Sequence, residues 1–221
     1  MSFYGFVTGP LVWIAFLTFI IGTLIRAAMF FVESSKKDKV LYKHFSVKYV
    51  LATFGRWLLP LNKDLAKNPI FTILVYIFHI CLIVVPIWFS GHIYLWEESR
   101  FGWYWSPIPD GLADWMTLIL LAVALFFLLR RILSPDIRLI STCSDYVLLL
   151  VTALPFITGY LFTYGTLDDI AFFKNNMEII HILSGELMLI LIPFTKLSHY
   201  ILFFFSRASS GIEFGRRGYS M

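Results

Sequence analysis

The sequence predicts an all-α membrane protein: five transmembrane helices in a bundle, with an amphipathic cytoplasmic segment between the first and second. Three observations predict it. The chain is 59% hydrophobic and only 14% charged, a balance that excludes an ordinary soluble domain. Its apolar residues gather into five runs, each near the length of about 20 residues that a helix needs to cross a bilayer core. Its basic residues concentrate in alternate connections, the asymmetry that orients membrane helices.

The first span is expected over roughly Tyr4 to Phe31, interrupted by Gly9-Pro10 and ended by Glu33-Ser34-Ser35-Lys36-Lys37. Ser34 to Asn68 is basic and amphipathic, with Arg56, Trp57 and Pro60 near its middle. It is too polar to span and reads as a surface-lying helix plus loop. The second span runs from about Pro69 to Trp96 and holds His79, Pro86 and His92. A loop rich in Trp, Pro and Gly follows (Trp103, Trp105, Pro107, Pro109, Gly111), the composition of a membrane-interface connection. The third span, about Leu112 to Leu129, is closed by Arg130-Arg131. The fourth covers about Asp145 to Tyr164, with Pro155 and Gly159 inside, and the fifth about Met177 to Phe205. No internal repeat is apparent, and residues 1–221 read as one membrane-embedded domain.

Lys and Arg flank the first connection (Arg26, Lys36, Lys37, Lys39, Lys43, Lys48, Arg56, Lys63, Lys67), the third (Arg130, Arg131, Arg138) and the carboxyl end (Lys196, Arg207, Arg216, Arg217). The second and fourth connections hold only Arg100 and Lys174, among Glu97, Glu98, Asp110, Asp168 and Asp169. The positive-inside rule therefore puts the amino terminus outside and the carboxyl terminus in the cytoplasm. The basic residues are thus accounted for by topology, and no nucleic-acid partner is implied. The first apolar run lacks a basic flank on its amino-terminal side and is long enough to span, so no cleavable leader is expected. Cys81 and Cys143 are the two cysteines, with no CxxC or CxxCH. That excludes a covalent c-type haem and a four-cysteine iron–sulfur site; both are expected to be packing residues.

Four of the five histidines fall inside spans, His79 and His92 in the second, His181 and His199 in the fifth. His181 and His199 are 18 residues apart, about five whole turns and about 27 Å of a straight helix, so one stripe would carry a histidine near each membrane face. The antiparallel course of the two spans sets His79 level with His199 on the inner side, and His92 level with His181 on the outer. A lone intramembrane histidine is usually a hydrogen-bonded packing residue. Four matched in depth are hard to explain that way, because ionisable groups in lipid are costly and bundle cofactors are held from facing helices. The economical use is axial ligation of two stacked haems. One spacing resists: His79 and His92 are 13 residues apart, about 140° off a common face. A kink or rewinding between Pro86 and His92 is therefore expected. His44 reads as a solvated residue of the basic segment.

The ending Pro-Phe-Thr-Lys-Leu-Ser-His199, the run Arg130-Arg131-Ile-Leu-Ser-Pro-Asp-Ile-Arg138 and Ser144-Asp145 resemble the gamma (cytochrome b) subunits of respiratory nitrate reductases. Tyr42-Lys43-His44-Phe45-Ser46, Arg56-Trp57-Leu58-Leu59-Pro60, Phe78-His79-Ile80-Cys81-Leu82, Leu154-Pro155-Phe156-Ile157-Thr158-Gly159, His181-Ile-Leu-Ser-Gly-Glu186 and Glu213-Phe214-Gly215 look closer still to the cytochrome b subunits of the transmembrane redox (Tmc-type) complexes of sulfate-respiring bacteria. The resemblance covers essentially the whole chain. It implies five helices, two b haems and a location in the bacterial inner membrane. It also implies a cytoplasmic iron–sulfur partner similar to the heterodisulfide-reductase catalytic subunit; on the outer side, by the loop from Trp96 to Trp115, either menaquinone as a substrate or a periplasmic multihaem cytochrome c is expected. Two features depart from the nitrate-reductase pattern. The second-helix histidines there are closer together, and Asp114-Trp115 stand where that family has a quinone-linked lysine.

Several residues carry two readings each. Arg130, Arg131 and Lys196 suit haem propionates through charge-assisted bonds, or serve as topogenic charge. Glu186 is a proton-relay candidate, or a neutral packing residue. Gly159 and Gly185 admit a haem face, or only a neighbouring helix. The functional expectation is a membrane electron-transfer subunit, not a complete enzyme alone. It would pass electrons between the quinone pool or a periplasmic cytochrome and a cytoplasmic iron–sulfur subunit. The rivals are a proton-conducting or transporter-type protein with the histidines lining a polar path, and a bare membrane anchor.

Overall fold

The computed structural model describes residues 2–59 and 67–219; Pro60 and Lys63, invoked above, lie outside them. Every regular element among the described residues is helical. In chain order these are α1 (Phe3–Lys37), α2 (Lys39–Lys43), α3 (Val47–Leu58), α4 (Pro69–Trp88), α5 (Ser90–Glu97), α6 (Asp110–Leu133), α7 (Pro135–Ile140), α8 (Cys143–Tyr164), α9 (Ala171–Leu191) and α10 (His199–Arg216). Four stretches are long and apolar enough to cross a membrane: α1, α4 with α5, α6 and α8. Counting α9 with the segment after it as one bent span makes five. This is a multi-pass membrane protein, and its spanning helices imply contact with lipid.

The Gly9-Pro10 interruption is absorbed as one π-helical turn, Val7–Leu11, inside α1. Such a turn lets a helix continue past a residue that donates no amide hydrogen.

The chain divides into two compact units, Met1–Thr72 with Glu186–Met221, and Ile73–Gly185. In the second unit, α4, α6 and α8 bury Phe78, Cys81 and Val85 against Leu120, Val123 and Ala124, with Ala153 and Phe156 completing the core. The connection from α6 to α8 is tied at its base. Arg131 donates to Ser141 Oγ (3.0 Å) and lies 4.0 Å from Asp145 Oδ2, while Thr142 and Asp145 form the capping box that starts α8. At the other end Tyr164 donates to Asp114 Oδ2 (2.5 Å), and Gly165, at φ 58°, ends α8 in the left-handed conformation that favours glycine.

In the first unit α10 packs antiparallel to α3. Phe54 meets Phe204 and Trp57 meets Phe203 at one end, and Thr53 and Tyr49 meet Gly211 and Gly215 at the other. α10 also touches α1 through Phe30–Phe205 and the hydrogen bond between Thr23 and Tyr200 (2.8 Å).

Two expectations need correction. His181 and His199 do not share one helix: α9 stops at Leu191, and a 3-10 turn, Lys196–Ser198, leads into α10 with the axis bent by 72°. Pro193 is the cause, because it supplies no amide hydrogen and its ring opposes the preceding turn. Its ring is fully buried against Gly22, where a Cβ would come within 2.6 Å of it. Its carbonyl accepts from Arg26 Nε (2.8 Å). The cysteines also differ: Cys81 packs in the core, whereas Cys143 is exposed, since it opens α8 at a helix end.

Candidate functional site

Trp88 ends α4, and Phe89 takes an extended conformation (φ −69°, ψ 133°) before α5 begins. The discontinuity falls between Pro86 and His92, where a kink was expected. Breaking a helix orphans its last carbonyls, and here each is taken up. Val85 O accepts from the Phe89 amide (3.0 Å) and Trp88 O from the Ile108 amide (3.0 Å). Ile87 O accepts from the Trp105 indole (2.9 Å), and Pro86 O from His92 Nδ1 (2.8 Å). The break thus aims His92 and fixes its proton, and the Trp-rich loop folds back to seal it. Ser90 Oγ adds a bond to Asp110 Oδ1 (2.6 Å) at the start of α6.

His181 projects from α9 toward α8. Thr158 Oγ1 lies 3.2 Å from its Nδ1. The Thr158 hydroxyl donates its hydrogen to Leu154 O (2.8 Å), so toward the imidazole it accepts, and the proton sits on Nδ1. Ser184 stands 3.1 Å from Thr158 and donates to His181 O (2.7 Å); both hydroxyl residues are buried. Gly159 makes room for the ring, since a Cβ there would sit 2.9 Å from His181 Cε1 and 3.6 Å from Nε2.

The two imidazoles come together. His92 and His181 have ring centroids 6.0 Å apart and planes within 6° of parallel. Two imidazoles bound at about 2 Å on opposite sides of one metal would have centres about 6 Å apart. Among the described residues no group of three or more His, Cys, Asp or Glu could hold a metal ion. A pair of this kind suits a metal whose remaining positions are filled by a macrocycle, as in a bis-histidine haem. The residues present fit that group.

His79 and His199 belong to different units. His79 Nδ1 donates to Val75 O (2.7 Å), and His199 Nδ1 donates to Lys196 O (2.9 Å). All four of these histidines therefore carry the proton on Nδ1 and the lone pair on Nε2, the tautomer that ligates through Nε2 with its other nitrogen anchored.

Of the other candidates, Arg131 is engaged by Ser141 and Asp145, while Arg130 ends α6 and Lys196 opens the 3-10 turn. Gly185 faces open space rather than a close neighbour. Glu186 is 5% exposed, and neither carboxylate oxygen has a hydrogen-bond partner among the described residues.

Trp105 and Ser184 were not singled out by sequence reasoning. Trp105 gave a signal only as interfacial composition. A spacing was available, however: His92 and His199 each stand six residues after a proline, Pro86 and Pro193, and each proline precedes a break.

A scan of known protein families finds no match, and no solved structure matches the chain. A relative from Nitratidesulfovibrio vulgaris, whose name reads only "Protein", is 35% identical over 221 residues, covering 97% of this chain and 95% of its own. Similarity of that extent along both chains is common descent, and the chain belongs to the family of that Nitratidesulfovibrio vulgaris protein.

Proposed function

We propose that this chain is the membrane electron-transfer subunit of a respiratory oxidoreductase complex, holding two b-type haems. His92 with His181 would hold the outer one and His79 with His199 the inner one. The observation that carries the reading is the His92–His181 pair, parallel at 6.0 Å, with both Nδ1 protons committed to fixed acceptors. When bound, haem supplies a one-electron iron couple whose potential follows its axial ligands, their hydrogen bonds and burial.

The chain's own residues do the rest. Pro86 O and Thr158 hold the imidazoles in one tautomer and orientation, and Gly159 leaves space at the ring. Arg130, Arg131 and Lys196 are the cations we assign to propionates, through charge-assisted bonds. Glu186 is assigned to proton movement, because a buried carboxylate with no partner among the described residues is costly unless it is used.

The topology proposed is that of the bacterial inner membrane, amino terminus periplasmic and carboxyl terminus cytoplasmic. The basic α2–α3 segment would lie on the cytoplasmic surface as an amphipathic platform, next to an iron–sulfur subunit resembling the heterodisulfide-reductase catalytic subunit. Menaquinone, or a periplasmic multihaem cytochrome c, would exchange electrons at the outer side.

Purified protein should contain two non-covalent haems per chain by pyridine haemochrome assay, with a low-spin spectrum. H181A should lose one and keep the other. Zero or one haem in intact protein sinks the dihaem reading. The unpartnered Glu186 favours a second reading, a proton-conducting protein without haem; that reading requires the haem-free result together with proton flux in vesicles that E186Q abolishes.

A further inference from the structure

We propose that the cleft between α3 and α10 binds the headgroup of an anionic glycerophospholipid. The inference concerns the first unit alone and needs only that the chain resides in a membrane.

Gly211 and Gly215 bring the two helices unusually close. A Cβ at Gly211 would run into Thr53 Oγ1, and one at Gly215 would come within 2.5 Å of the Tyr49 ring. Beside this crossing a cavity of about 340 Å3 opens, lined by Lys48, Tyr49, Ala52 and Arg56 from α3 and by Phe214 and Tyr219 from α10 and its end. Lys48, Ala52 and Arg56 recur every four residues, so they form one stripe along α3. The acid nearest on α10, Glu213, is bonded by both Arg216 (2.7 Å) and Arg217. Two cations on one carboxylate leave that edge positive as well. Lys48 in the lining and the paired arginines on Glu213 thus give the described residues of the cleft positive charge, together with two tyrosines, residues that settle at membrane interfaces.

Charge calls for an anion, and the apolar residues beside it say which kind. Val47, Leu51 and Leu58 of α3 are exposed, by 58%, 63% and 58%, and Leu51 stands only about 60° around the helix from Lys48. A free anion in water would have no use for this neighbouring stripe. A lipid uses both: the cavity takes a phosphate and glycerol, and the acyl chains remain outside along Val47, Leu51 and Leu58. Arg and Lys bind phosphate oxygens through charge-assisted bonds, and basic pockets between membrane helices suit such headgroups.

The test is native mass spectrometry of the full chain incubated with phosphatidylglycerol or phosphatidylcholine of equal acyl length. Wild type should retain phosphatidylglycerol at least fivefold over phosphatidylcholine. The K48A/R56A variant should lose that preference, and K36A/K37A, which removes two charges elsewhere, should keep it. Lys48 is exposed, so K48A alone should fold and lower the preference about twofold even if the double variant is not recovered. Equal retention of the two lipids by wild type overturns the proposal. So does an equal loss in K36A/K37A, which would mean diffuse charge rather than a site. Displacement of phosphatidylglycerol by millimolar inorganic phosphate would overturn it too, by showing a free-anion site to which the apolar stripe adds nothing.

Discussion

His181 is held on two sides by groups that respond differently to substitution. Thr158 accepts from its Nδ1 in a buried setting, beside the Pro155 main-chain acceptor of the same ring, so T158V removes one of two acceptors, at a cost of about 0.5–1.5 kcal/mol. T158S keeps the hydroxyl and should recover most of it; thermal unfolding of both variants checks this. At Gly159 the constraint is space. G159A puts a carbon 2.9 Å from Cε1, so the ring must move, and haem content should fall from two per chain toward one. Glu186 behaves in the opposite sense. Among the described residues neither of its oxygens has a partner, at 5% exposure, and an unsatisfied buried polar group costs about 1–3 kcal/mol. E186L should therefore raise thermal stability while lowering any proton-coupled turnover. An unchanged or lower melting temperature in E186L would show that the carboxylate is satisfied after all. The histidines were legible as residues because four imidazoles in apolar runs are conspicuous. Their anchors were not, because a threonine or serine in a membrane helix more often bonds its own preceding turn, as Thr117 and Thr152 do.

Two interrupted helices shape the molecule at the next scale, and only one was foreseen. The break at Phe89 followed from arithmetic, since 13 residues cannot bring His79 and His92 to one face of a straight helix. The break after Leu191 was hidden by arithmetic, since 18 residues between His181 and His199 fit a straight helix too well. Hydropathy does not separate a continuous apolar helix from two joined by a turn, and Pro193 was the residue that should have weighed more. At the Phe89 break the sequence-distant partner is testable. W105F removes the donor to Ile87 O and should destabilise the fold by about 1–3 kcal/mol. Its effect on amide hydrogen exchange should be greatest from Trp88 to Glu97. Faster exchange spread evenly over α6 and α8 instead would show that Trp105 supports packing rather than the break.

Over the whole chain, element type and approximate span limits were readable because bilayer thickness and apolar run length are tightly linked. What was not readable was the division into two compact units, which depends on contacts between residues far apart in sequence. Orientation can be checked with residues already present. Cys143 is exposed at the start of α8, next to the connection carrying Arg138, and Cys81 is buried. If that connection is cytoplasmic, a membrane-impermeant maleimide should label Cys143 in inverted vesicles and not in intact spheroplasts. Cys81 should stay unlabelled in both and serve as the internal control. Labelling of Cys143 from the outside would reverse the proposed topology.

The closure of the Phe89 break also decides which positions evolution can vary. Its acceptors are main-chain oxygens of Val85, Pro86, Ile87 and Trp88, and a main-chain oxygen is the same whatever side chain accompanies it. Two of its donors, the His92 imidazole and the Trp105 indole, exist in one residue type each. Saturation mutagenesis should therefore find Ile87 and Trp88, both exposed, tolerant of many apolar replacements. Trp105, 18 residues further along the chain than Ile87, should tolerate almost no replacement.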